Sequence, residues 1–464
     1  MNEDLDLLST RDEREIVVVD GRLGEIAAAE LRARRDEWRE RLPAGRKLLV
    51  EISQPRSIDG LAAYLAALSS GHAVLLVDGA PSRLASSSRG VFRPDASVRN
   101  GAVEWMRRPG EQPAEPGLHP ALAMILSTSG SAGAPRAVRL SYDNLLANAR
   151  AIAEATGIEP GERAATSLPA DYAFGLSIIN SHLVSNGSLA LSDAAPTARS
   201  FWWQLDQLKA SAVGLLPTTC RMLLSRGWSP RAHPSMGRVL VAGGRIDPTE
   251  VSTLIELMRS VGGQVNVMYG QAEATARISV LDMNAAQRHP DSVGCPVPGG
   301  RADVVDGAGG PVPEGDVGEI VYTGPNVMLG YATSRSDLSL GDTHGSRLRT
   351  GDLGYMSNGL LYLSGRVDRQ TKVLGRRIQL DQLEGELRRA LGTEVVAVPC
   401  PDETIAVCYE SEAAPSVGSE LNQIADRWGL PRGCLRGKEM PLPRLYSGKL
   451  DYRSVTVQLQ ADRR

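Results

Sequence analysis

Cysteine is scarce in this chain. Its five copies, Cys220, Cys295, Cys400, Cys408 and Cys434, are scattered over 464 residues. None sits at metal-site spacing and nothing suggests a disulfide framework, so a reducing cytoplasm is the expected setting. A basic surplus is missing as well. The net charge is −3, which gives no electrostatic footprint for nucleic acid or anionic lipid. No apolar run approaches the roughly 20 residues that cross a bilayer, and the opening MNEDLDLLSTRDERE is acidic and polar, unlike a signal peptide. Internal repeats and long low-complexity tracts are lacking too. What is there is an ordinary soluble composition, 42% hydrophobic and 23% charged. The chain is too long for one compact core, so at least two domains are expected.

Strand-like and helix-like segments alternate. Residues 15–19, 47–52 and 72–77 read as strands, and residues 25–41 and 59–69 as helices. Residues 90–120, rich in Pro, Gly and charge, read as an exposed connection. Residues 141–157 have helical periodicity, with Ser141 as N-cap. Residues 212–216, 238–241 and 264–268 read as further strands, and 304–331 as a β-rich subdomain. Near the end, 381–391 reads as a helix, and 394–398 and 404–409 as strands. This alternation argues for an α/β fold with helices covering layered, mostly parallel sheets.

The most informative stretch is STSGSAGAPR, residues 127–136, directly after the apolar run 121–126. Glycines permit tight turns, and backbone N–H groups with hydroxyls can then face an anion. Thr128, Ser129, Gly130, Ser131 and Gly133 supply those groups, and Arg136 adds a permanent positive charge. Alone, the loop could equally be a solvated Ser/Gly linker.

Four more segments follow in order: MYGQAEAT (268–275), RTGDLG (349–354), GRVDRQTKVLGRRIQL (365–380) and LPRLYSGKLDYR (442–453). Together the five resemble the motif series of the adenylate-forming superfamily, which includes acyl-CoA synthetases, aryl-acid ligases, peptide-synthetase adenylation domains and luciferases. The resemblance covers about residues 60–453. It implies a large N-terminal domain, residues 1–364, that binds ATP and an acid, and a small mobile α+β domain, residues 365–464, that swings between two half-reactions.

The resemblance assigns roles. The Ser/Gly loop with Arg136 would hold pyrophosphate. Tyr269 and Gly270 would face adenine, and Glu273 would hold the Mg²⁺ that bridges the phosphates, a sensible task for one carboxylate on a hard cation. Asp352 would accept from the ribose hydroxyls, Arg366 would touch ribose or phosphate, and Asp368 would be the hinge. Lys449 would bridge acid and α-phosphate and stabilise the charge developing there. Tyr172 and Phe174 would line the acid pocket, with Gly243, Gly244 and Ala272 as further walls. For each residue an ordinary structural role competes: a turn for Glu273 and Asp352, a solvated side chain for Lys449, core packing for Tyr172 and Phe174.

The chain departs from the family pattern in three places. Arg136 replaces the usual lysine, and Ala132 and Ala272 replace threonines. Ala173 stands where domains for α-amino acids carry aspartate, which disfavours such substrates. The implied activity is an ATP-dependent ligase that activates an acyl or aryl acid as its adenylate, releases pyrophosphate, and passes the acyl group to CoA, a carrier-protein thiol or an amine. Two alternatives stay open: activation of an unusual acid such as nitrite to diazotise an aromatic amine, and a non-catalytic nucleotide-binding relative. No nucleic acid and no membrane insertion are expected.

Overall fold

The computed structural model describes residues 5–8, 11–42, 45–78, 83–106, 117–128, 136–373, 376–410, 417–444 and 450–461. The chain divides into two compact units. The first is Met1–Ala302 with Tyr322–Leu348, and the second is Asp303–Val321 with Arg349–Arg464. Residues 365–464, expected as a separate domain, lie wholly in the second unit, which also takes in the hairpin before them.

The first unit contains two sheets. One runs in the order Ser292–Pro296, Ser279–Leu281, Gln264–Tyr269, Arg238–Val241, Ala212–Leu215, Arg163–Ala165, Ser188–Ala190, Ile16–Asp20 and Gly24–Ala27. Pairing is parallel from Gln264–Tyr269 through to Ile16–Asp20 and antiparallel at both ends. The other runs Gly330–Ala332, Arg136–Ser141, Leu122–Thr128, Ala73–Val77, Leu49–Ser53, Ala96–Arg99 and Ala102–Trp105. Its central strands are parallel. Ala73–Val77 is buried at every position, as a parallel strand covered on both faces should be. The helix Tyr142–Thr156 starts with a capping box between Ser141 and Asn144 and stops at Gly157 in the left-handed conformation.

Two expectations need correction. Residues 24–27 form a strand, not the start of a helix; they pair antiparallel with Ile16–Asp20, and the helix begins at Ala28. Residues 90–106 are not an exposed connection. Phe92 is fully buried, and Ala96–Arg99 pairs with Leu49–Ser53 on one side and Ala102–Trp105 on the other. Asn100 and Gly101, both at positive φ (48° and 75°), make the tight turn between them. Asn-Gly between short apolar runs is a hairpin signal that the Pro- and charge-rich surroundings obscured.

In the second unit, Arg347–Ser357 and Leu360–Arg366 form an antiparallel hairpin, again turned by Asn-Gly, at 358 and 359. A three-stranded sheet, Val395–Pro399, Ile405–Tyr409 and Leu435–Glu439, follows. The helix Leu380–Leu391 packs Leu380, Leu383, Leu387 and Leu391 into its core beside Val395 and Val407, the spacing of one helical face. Among the described residues, no helix is long and apolar enough to cross a membrane.

Candidate active site

The site in the first unit is built at the end of the strand Gln264–Tyr269. Tyr269 closes the strand, and Gly270 turns the chain. A Cβ on Gly270 would lie 2.0 Å from the carbonyl oxygen of Ala276, so only glycine lets the returning chain pass this close. Ala272–Ala274 then forms one 3₁₀ turn carrying Glu273. Thr275 is held at φ +63°, a conformation disfavoured for a β-branched residue.

Neighbouring groups over-determine that conformation. The Thr275 hydroxyl donates to the Asn326 carbonyl (2.7 Å). Asn326 Nδ2 donates to the carbonyls of Ala274 (2.8 Å) and Arg277 (2.9 Å). Its Oδ1 accepts from the Tyr322 hydroxyl (2.8 Å). The amide of Met328 donates to the Glu273 carbonyl (2.9 Å), and the Tyr331 hydroxyl donates to Glu273 Oε1 (2.8 Å). Glu273 is therefore a carboxylate oriented by a phenol on a strapped turn. A hard cation needs six or more oxygens, and among the described residues no cluster of three metal-binding side chains exists. Glu273 fits a Mg²⁺ ion only if phosphate and water oxygens complete its shell, as they would around a bound nucleotide.

Beside this turn lies the wall expected for the acid. Tyr172 precedes the helix Ala173–Val184 and Phe174 lies in its first turn; their rings meet edge-on at 6.5 Å. Gly243 sits at φ +88°, and a Cβ there would come within 2.4 Å of the Tyr172 hydroxyl. Gly244 is exposed beside Pro217. Tyr172, Phe174 and Gly243 thus come together. Asp171, next to Tyr172, accepts from the amide of Asp78 (3.3 Å). Burial pushes its carboxyl up to about 6.

The sequence reading missed Arg277. Its guanidinium lies 4.3 Å over the Phe174 ring. Nε donates to Met268 Sδ (3.3 Å) and Nη1 to the Ala276 carbonyl (3.0 Å), while Nη2 is buried and meets no partner among the described residues. Burial lowers its pKa to about 10. A charged residue between Ala276 and Ile278 in an apolar strand-like run was the available signal. Asn326 and Tyr331, distant in sequence, gave none.

In the second unit the hairpin register sets Asp352 opposite Arg366. Arg366 Nη1 donates to Asp352 Oδ1 (3.2 Å) and Nε to Asp368 Oδ1 (3.0 Å). Asp381 accepts from the Arg366 amide (2.9 Å). Asp352, Arg366 and Asp368 are thus gathered, with Asp368 in the 3₁₀ turn Val367–Arg369. Residues 445–449, which include Lys449, lie outside the described residues. Their flanks pair, Arg444 with Leu450. Behind them Tyr452 donates to Glu384 (2.9 Å) and lies under the Arg369 guanidinium at 4.3 Å. Ser129, Gly130, Ser131, Ala132 and Gly133 also lie outside the described residues; Thr128 and Arg136 end the two strands that flank them.

Residues 43–332 match the AMP-binding enzyme family. The chain belongs to that family. By membership it is an AMP-forming acid ligase, as the motif series implied. It is 30% identical over 310 residues to the sulfoacetate–CoA ligase of Cupriavidus necator, covering 65% of this chain and 60% of that ligase. It is 28% identical to the D-alanine–D-alanyl carrier protein ligase of Bacillus cereus, covering 73% and 71%. Two solved structures share the fold at 20% identity: ATP-bound MatB from Rhodopseudomonas palustris, with TM-score 0.78 and 97% of each chain covered, and the amide bond synthetase McbA from Marinactinospora thermotolerans, with TM-score 0.76 and 96% of each covered.

Proposed function

We propose that this ligase binds ATP and an organic acid, forms the acyl-adenylate, and transfers the acyl group to a thiol or an amine. The observation that carries the reading is Glu273, held by Tyr331 on the turn that follows Tyr269. One carboxylate oxygen of the acid attacks the α-phosphorus of ATP. The bond from that phosphorus to the α–β bridging oxygen breaks, and pyrophosphate leaves. The acceptor then attacks the acyl carbon and gives up its S–H or N–H proton to solvent, and AMP leaves with the electrons of the broken acyl–oxygen bond.

In this scheme the Ser/Gly loop and Arg136 bind the leaving pyrophosphate. Glu273 holds Mg²⁺, which neutralises phosphate charge. Lys449 stabilises the charge that develops between acid and α-phosphate. Asp352 and Arg366 hold the ribose, and residues 365–464 turn about Asp368 between the two half-reactions. The relatives carry CoA, a carrier protein and an amide bond in their names, which supports a thiol or an amine as the acceptor.

Acid-dependent exchange of labelled pyrophosphate into ATP tests the first step. Lys449→Ala should lose exchange by orders of magnitude while ATP binding persists. Normal turnover by that variant would remove Lys449 from the scheme. Intact ATP binding with no exchange for any acid would favour the non-catalytic reading, and exchange with nitrite alone would favour the diazotising one. Asp368→Pro should slow acyl transfer and spare exchange.

A further inference from the structure

Arg277 has no task in that scheme. Its side chain carries a permanent charge at 3% exposure. Burying an unpaired cation is costly, and an unmet guanidinium N–H adds to the cost. Three other buried arginines have more partners, while Arg11, 5% exposed, is likewise short of them, its Nε and Nη1 meeting nothing among the described residues. Arg335 is paired with Asp95. Arg238 donates to Glu162, Asn266 and two carbonyls. Arg139 is ringed by the oxygens of Leu329, Tyr331, Gly341 and Thr343. Arg277 instead has a thioether, its neighbour's carbonyl and the face of a phenyl ring, and its Nη2 meets nothing among the described residues.

Its place is informative. The backbone of Arg277 is clamped, since its carbonyl accepts from Asn326 and from Asn148 (3.1 Å). Its guanidinium is stacked on Phe174, so the head group cannot swing out to solvent without leaving the ring. That ring meets Tyr172 edge-on, so the cation belongs to the Tyr172–Phe174 wall. A small pocket of about 10 Å³, lined by Ala173, Leu176, Ser177 and Ala276, has room for about one water molecule.

We infer that Arg277 receives a second anionic group of the acid, so that the substrate is a dianion: one carboxylate to be adenylated and a further carboxylate or sulfonate to be held by the guanidinium. The assignment rests on the adenylation reading for what occupies this wall. Arginine suits the task because its planar fork matches an oxyanion, and the low-polarity setting strengthens the pair. A monoanionic acid of the same length would leave the cation as unpaired as it is without ligand, which builds discrimination into the pocket.

Equilibrium binding tests this without turnover. Titration calorimetry on the full chain, with the non-hydrolysable nucleotide α,β-methylene-ATP and Mg²⁺, would compare butyrate with succinate, acetate with sulfoacetate and benzoate with phthalate. The wild type should bind at least one dianion about 10–100-fold more tightly than its partner, the range expected for hydrogen bonds to a charged group. Arg277→Met should bring that ratio to near one, and Arg277→Lys should restore part of it. A purely structural arginine would weaken both members of a pair alike. Equal affinities in every wild-type pair, no dianion binding at all, or an unchanged ratio in Arg277→Met would each overturn the assignment. If Arg277→Met fails to fold, the wild-type ratio and the Lys variant decide. Pyrophosphate exchange separates the two readings: dianion binding without exchange sinks adenylation alone, and exchange that favours the monoanions sinks Arg277 alone.

Discussion

The Glu273 turn and the Asp352–Arg366 hairpin hold the side chains proposed for the site in opposite ways. At the turn the supports are buried. Asn326 is 2% exposed and Thr275 5%, and the hydrogen bonds between them and to Ala274, Arg277 and Tyr322 are buried. At the hairpin the supports are charges near the surface: Arg366 is 48% and Asp368 62% exposed. Buried, fully paired networks are stiff and costly to break, whereas exposed ion pairs contribute little and exchange partners readily. The difference fits a turn that must present one carboxylate in one place and a hairpin whose arginine is shared between two aspartates.

The comparison can be broken by mutation. The largest effect is expected for Glu273→Gln. The amide oxygen still accepts from Tyr331, so folding should be spared, while kcat for adenylation falls by about 100–1000-fold; unchanged kcat would make Glu273 a mere turn residue. Next is Asn326→Ala, which takes one of two donors from each of the carbonyls of Ala274 and Arg277 and removes the acceptor of the Tyr322 hydroxyl. It should cost about 2–4 kcal/mol in denaturant unfolding, and a loss below about 1 kcal/mol would mean that the turn is not held as described.

Asp171 extends the contrast to pH. Its carboxyl is raised by burial to about 6, against about 3.9 in an unfolded chain. The native state therefore holds the proton more tightly. Its stabilising contribution is complete below about pH 4 and is lost as pH rises through 6. Asp171→Asn should gain up to about 2–3 kcal/mol relative to wild type at pH 7.5 and nothing at pH 4. A pH-independent difference would contradict the burial argument. The smallest effect is expected for Arg366→Ala. Because both its ion pairs are exposed, stability should change by less than about 1 kcal/mol, while KM for ATP rises several-fold if the ribose reading holds.

The same contrast explains what could be read in the chain beforehand. The central strands and the helix Tyr142–Thr156 were legible because their signals are local: continuous apolar runs, Ser141 before the helix, Gly157 after it. Tyr269, Gly270 and Glu273 were legible as a motif of adjacent residues. Asn326, Tyr331 and Arg277 were not, because their importance lies in partners far along the chain or in a partner that is missing. The segment 24–27 was misread because its partner strand, not its own pattern, makes it extended.

Asn326 has one more consequence, for the timing of synthesis. Its side chain grips carbonyls 52 and 49 residues earlier in the chain. On the ribosome, where folding proceeds from the N-terminal side, the strand Gln264–Tyr269 and the residues of the Glu273 turn emerge well before the group that locks them. A nascent chain stopped before residue 322 would carry the whole YGQAE motif and still have no clamp to shape it. The turn is thus held in shape by a late arrival.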